Sequence, residues 1–185
     1  MTYIGREKFE VAKDETSLNR NEFEAWYERE HPRMIVTLLL ATGDLDLASE
    51  CVDEACARAL TKWDRVSTMD APTGWVYSVA LNHARRLSRR KGLERSLLPR
   101  LVAPAIISPE VSETWELVAA LPERQRQVVV LRHVGNLKEA DIAQTLHISR
   151  STVSTTLRDA HKKLGVLLDE SQDDNVNETK EIADV

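Results

Sequence analysis

Ser149-Arg150-Ser151-Thr152 opens the stretch of this chain with the clearest chemistry. Val153, Leu157, Ala160 and Leu164 recur there at helical spacing, which leaves Arg150, Ser151, Ser154 and Thr155 facing outward. Guanidinium and hydroxyl groups displayed this way hydrogen-bond to base edges and phosphates. Ser149 suits the N-cap, where its hydroxyl accepts an orphan backbone N–H. A second group is the run Asn82, His83, Arg85, Arg86, Arg89, Arg90 and Lys91. Five bases in seven residues favour phosphate contact over the plainer reading, a soluble helix end favoured by its dipole. A third is Glu50, Asp53 and Glu54 on one helix face. Paired carboxylates suit acid–base or metal chemistry, but no histidine or third ligand accompanies them in the sequence. Cys51 and Cys56 lie five residues apart, on different sides of a helix, with no ligand-spaced histidine, and read as small packing residues.

The elements that must position these groups are helices. Val128, Val129, Leu131 and Val134 form one apolar run, broken by Gly135-Asn136. Ile142, Ala143 and Leu146 form a second, and His147-Ile148-Ser149 a turn before the third. Two short helices joined by a tight turn are a helix-turn-helix, whose second helix meets the major groove. Upstream, helical patterns carry Phe23, Trp26 and Tyr27, then Ile35 to Leu40. Pro32 between them reads either as a first helical residue or as a kink. Thr42-Gly43-Asp44 is a break. Residues 46–63 place Leu47, Cys51, Val52, Ala55, Ala59 and Leu60 inward. Residues 64–74 read as a loop, and Pro72 as the start of a helix to about residue 91 that buries Val76, Val79, Ala80 and Leu87.

The reading is therefore an all-α chain of two small helical domains on a flexible linker, the C-terminal one a helix-turn-helix. Its parts are a flexible arm (1–18), a helical domain (19–92), a linker (93–110) broken by Pro99, Pro104 and Pro109, the helix-turn-helix domain (111–168), and an acidic disordered tail (169–185). The whole chain carries a net charge of −5, which by itself argues against nucleic acid. The charge is segregated, however. Residues 85–100 hold seven bases against one acid, and residues 169–185 hold seven acids against one base. Local sign decides contact, because salt limits the reach of exposed charge to about 8 Å. No apolar run reaches membrane-spanning length and the N-terminus lacks a signal core, so a cytoplasmic location without membrane insertion is expected. No Gly-rich phosphate loop or metal-ligand cluster is evident, so the reading is a non-enzyme without cofactor or metal.

Residues 48–91 separate kinds of helix-turn-helix protein. An acidic helix, a short loop, then Trp75-Val76-Tyr77-x-x-Ala80-x-Asn82 and an arginine run resemble the promoter-melting domain of bacterial sigma factors of the extracytoplasmic-function (ECF) type, in the sigma-70 family. Leu121-Pro122-Glu123-Arg124-Gln125-Arg126, Asp141-Ile142-Ala143 and Ser149-x-x-Thr152-Val153 resemble their −35-reading domain. The resemblance covers about residues 20–168 and implies roles. Glu50, Asp53 and Glu54 fall where the family docks on the polymerase clamp helices. Asn82, His83 and the bases to Lys91 fall where it meets the −10 element, and loop 64–74 where it holds a flipped base. Trp75 reads as core before base platform. Arg150, Ser151, Thr152, Ser154, Thr155 and Arg158 fall on the −35 reader. Implied partners are core RNA polymerase (clamp helices and flap), promoter DNA and an anti-sigma factor.

The chain departs from the family where Asp53 replaces a common Gln, Cys56 an aromatic, Leu81 an Arg, and Ser154 and Thr156 basic residues. Fewer cations on the reading helix predict weak autonomous binding, with polymerase supplying most of the affinity. Two rivals remain. Thr152-Val153 and Lys163-Leu164-Gly165-Val166 also resemble LuxR-type regulators, which bind without polymerase but leave residues 46–91 unexplained. The thinned reading helix also fits a degenerate sigma-like protein that sequesters a partner without initiating.

Overall fold

The computed structural model describes the backbone of residues 4–90 and 116–183, with side-chain surroundings over 19–89 and 116–167. The described residues are helical and contain no strand. The predicted linker, 93–110, lies outside them, as do Lys91 and the surroundings of the Arg90 side chain.

Helix α1 runs Ile4–Thr42 with Pro32 inside it, so the proline lies within one long helix and does not start a second one. The lost hydrogen bond at Pro32 is offset by packing on both sides, since Trp26, Met34 and Leu38 are buried. The helix also covers most of the predicted N-terminal arm. Once a helix is anchored by packing, each further residue adds a bond without a new nucleation cost, and low periodicity does not prevent that. Gly43 ends α1 at φ 76°, a backbone conformation that costs glycine nothing.

Helix α2 spans Leu45–Leu60 and starts at Asp44, whose carboxylate accepts the Leu47 N–H at 2.9 Å. Its buried face is built of small residues, Ala48, Cys51, Val52, Ala55, Cys56 and Ala59, which lets α1 and the following helices approach closely. Both cysteines are buried packing residues, as expected, because this helix is covered on more than one side. One expectation is corrected here. Leu60 is 43% exposed, because the last turn runs past its neighbours. A short helix, α3 (Trp63–Val66), occupies the start of the predicted loop. Trp63 packs at 5.1 Å from Phe23 and 4.9 Å from Trp26, ring centre to ring centre.

Helix α4 (Pro72–Arg90) begins at the predicted proline. It buries Val76, Tyr77, Ala80, Leu81 and Ala84, with Val79 and Leu87 only half-covered. The Tyr77 hydroxyl donates to Thr37 Oγ1 at 3.0 Å, and burial pushes its pKa up to about 12.

A helical turn over 116–119 leads to α5 (Glu123–His133), α6 (Glu139–Leu146) and α7 (Arg150–Ala183). Helix α7 continues through most of the acidic stretch expected to be disordered. That composition lacks apolar residues for a core, but backbone bonding can propagate from a well-packed first half.

The two halves share one core. Val128, Leu131, Ile142, Val153 and Leu157 join Met34, Leu38, Val76 and Tyr77 in a continuous apolar cluster. Gly135 makes this possible: a Cβ there would meet Leu131 O at 2.9 Å and Tyr77 Cε2 at 3.2 Å. Buried Arg126 donates from Nε to Ala41 O at 3.4 Å and from an Nη to Ala119 O at 3.1 Å. It thereby brings a cation to the C-terminal end of α1, whose last turn has none of its own.

Candidate nucleic-acid interface

The helix-turn-helix is set by two backbone devices. His147 adopts φ 54°, ψ 48°, and Ile148 N–H returns to Ala143 O at 3.0 Å, closing α6. Ser149 then caps α7: Thr152 N–H donates to its Oγ at 3.1 Å, as expected. Val153, Leu157 and Ala160 seat α7 on the core. Arg150, Ser151, Thr152, Ser154, Thr155 and Arg158 are all exposed on one side of it. The Ser149 hydroxyl lies 2.8 Å from that of Ser151 and 2.7 Å from that of Thr152, which orders the first turn. Arg150 and Arg158 are only loosely paired, at 3.9 Å to Glu139 and 4.0 Å to Asp159, so both guanidiniums remain available.

The arginine run is less free. On α4, Arg86 and Arg89 are exposed, whereas Asn82, His83 and Arg85 are half-buried. Arg85 reaches Asn82 Oδ1 and Gln127 Oε1, both at 3.3 Å, and Arg86 Nε donates to Asn82 O at 3.3 Å. Gln127 in turn donates to Glu123 at 2.7 Å. Two groups expected to meet DNA, Asn82 and Arg85, are thus engaged with each other and with α5.

Beside the N-terminus of α4 lies a cavity of about 560 Å³. The turn after α3 and the start of α4 line one wall with Met69, Asp70, Trp75 and Ser78, and the other wall is Asp141, Gln144, Thr145 and His147 of the helix-turn-helix. Thr145 Oγ1 donates to Gly74 O at 3.2 Å and closes the two walls together. Trp75 packs on the core with one part, as expected, and lines this cavity with another. The second wall was not anticipated. Its one legible trace is Thr145, a polar residue beside Ile142 and Leu146 on a buried face.

On α2, Glu50 is exposed. Asp53 lies 2.8 Å from His31 Nε2, and Glu54 2.6 Å from Arg58. A histidine therefore does accompany the carboxylates, contrary to the sequence reading, because α1 supplies it from 22 residues away. No group of three metal-ligating side chains forms among the described residues. The Cys56 thiol is pushed up to about 12 by burial and by Asp53, which makes it an inert packing group.

An all-helical chain with an exposed, capped reading helix and a basic helix beside it defines a DNA-binding protein of the helix-turn-helix class. Residues 112–164 match the family described as sigma-70, region 4. The ECF RNA polymerase sigma factor SigK of Mycobacterium ulcerans is 27% identical over 168 residues, covering 82% of this chain and 88% of that protein. An uncharacterised protein of Rhizobium meliloti is 26% identical over 150 residues, 72% of this chain, and the match spans only 36% of that protein's length. Among solved structures, the sigma factor RpoE in complex with the anti-sigma factor NepR from Bartonella quintana superposes with a TM-score of 0.67. It is 15% identical and the match covers 80% of this chain and 97% of that one. CnrH in complex with the cytosolic domain of CnrY superposes at 0.59, with 20% identity and 86% and 96% coverage. Residues 112–164 thus match sigma-70 region 4, and over most of its length the chain is similar to an ECF RNA polymerase sigma factor.

Proposed function

We propose that this protein binds core RNA polymerase, recognises the −10 and −35 promoter elements and promotes melting for transcription initiation. The observation that carries this reading is the free, capped face of α7 in a chain whose other half presents the basic helix α4. Helix α7 docks on the −35 element through Arg150 and Arg158, with Ser151, Thr152, Ser154 and Thr155 reading or steadying it. Arg86 and Arg89, with Arg90 and Lys91, hold phosphates near the −10 element, while Asn82 and His83 face the bases. The cavity beside Trp75 receives an unpaired base, and stacking there offsets the few kcal/mol that extrusion costs. Glu50, Asp53 and Glu54 offer the acidic face for the polymerase clamp. The organisation proposed is a first domain over 19–92 and a second over 111–168. The anti-sigma factor NepR, bound to RpoE in the first of the two similar structures, supports an anti-sigma partner for this chain as well.

The reading carries a geometric requirement. By their names the two elements lie about 25 base pairs apart, about 85 Å along the duplex at 3.4 Å per pair. Yet α4 and α6 touch through Thr145 and Gly74. Both readers can reach their elements only if the halves part, releasing Arg85 from Gln127 and Arg126 from Ala41. Promoter opening tests the function. Core polymerase with this chain should render thymines of a cognate −10 element reactive to permanganate. A stable complex with core and no reactivity would favour the sequestering reading. Duplex binding without any polymerase complex would favour the ordinary regulator.

A further inference from the structure

The proposed function makes no use of a pair of histidines at the back of the helix-turn-helix. His133 is the last residue of α5 and His161 lies well along α7, 28 residues away in sequence. Both are exposed, their ring centres are 5.3 Å apart, and their Nε2 atoms face each other at 3.1 Å. Two nitrogens bound to one metal at about 2.0–2.1 Å lie about 2.9 Å apart at a right angle and about 3.3 Å apart at the tetrahedral angle. The observed separation falls between these, and imidazole is the ligand that zinc, nickel and copper share.

We infer that His133 and His161 form a two-histidine site for a divalent cation of the zinc, nickel and copper class. In the metal-free pair one Nε2 donates its proton to the other. Binding moves that proton to Nδ1 of the donating ring, so both Nε2 lone pairs turn to the metal and the net charge of the rings does not change. Partial desolvation of the ring against the protein, His161 and Arg132 all hold His133 below the usual imidazole range, and the neutral form is the one that ligates. No third histidine, cysteine or carboxylate joins the pair among the described residues. The remaining positions therefore fall to water or to a side chain of a bound partner. The ion clips the end of α5 to α7 and fixes the reading helix against its scaffold. This inference does not depend on the promoter reading.

Calorimetric titration of the full chain with Zn²⁺ and with Ni²⁺ tests it. One ion should bind per chain and raise the melting temperature. His133→Ala and His161→Ala should each weaken binding by about tenfold or more and abolish the thermal shift. Proton NMR of the wild type supplies a measurement that needs no variant: substoichiometric Ni²⁺ should broaden the ring signals of these two histidines first. Absence of binding, unchanged affinity in both variants, or broadening that spares both rings would overturn the site.

Discussion

At the scale of single residues, positions that matter most are those where one atom decides a contact. Gly135 is the sharpest case. Gly135→Ala drives a methyl against Leu131 O and Tyr77, and the carbonyl cannot move without its helix. The expected cost is about 1–3 kcal/mol, read as a lower denaturation midpoint in urea. The histidine pair gives stability a pH dependence. In the fold His133 titrates below its ordinary range, so between the folded and unfolded values the unfolded chain binds more protons. Stability should therefore fall as pH drops from 7 through the unfolded histidine range. Melting curves of His133→Gln should show a shallower fall, and an equally steep one would contradict this origin. Residue types alone disclosed the outward hydroxyls and arginines of α7 and the cap at Ser149. They did not disclose His31 beside Asp53 or His133 beside His161, because those partners meet only through tertiary packing.

At the scale of the element, α7 depends on its first turn. Ser149→Ala removes the acceptor for Thr152 N–H and should cost about 1 kcal/mol, measured as a drop in melting temperature. Arg150→Ala and Arg158→Ala leave the apolar face untouched. On duplex DNA carrying a −35 element, each should lower affinity and reduce the slope of log affinity against log salt by about 1. Titrations in which both variants keep the wild-type slope would remove these residues from the interface. Helices α2, α4, α6 and α7 were legible from apolar spacing, from the break at Gly43 and from Pro72. The extents of α1 and α7 were not, since composition reports the want of a core and not the ease of lengthening a helix already anchored.

At the scale of the whole molecule, the two halves were legible as separate patterns, and their union was not. The seam is made of isolated polar contacts, Arg126 to Ala41, Thr145 to Gly74 and Arg85 to Gln127, around a shared apolar core. Nothing in local periodicity marks such residues as crossing points. Because this closed form cannot span both promoter elements, fluorescent labels on α4 and α7 should sit close in the free chain and separate in a polymerase–promoter complex. Arg126→Ala should weaken the closed form by about 1.5–3 kcal/mol, since it strips a charged donor from two carbonyls. The most direct measurement of the central claim is run-off transcription by purified core polymerase, with and without this chain, on promoter fragments from its own genome. Discrete transcripts should appear that require the chain and are lost on Asn82→Ala or on joint replacement of Arg86 and Arg89 by alanine. Transcripts that persist undiminished in both variants, or no transcript from a complex that forms normally, would contradict it.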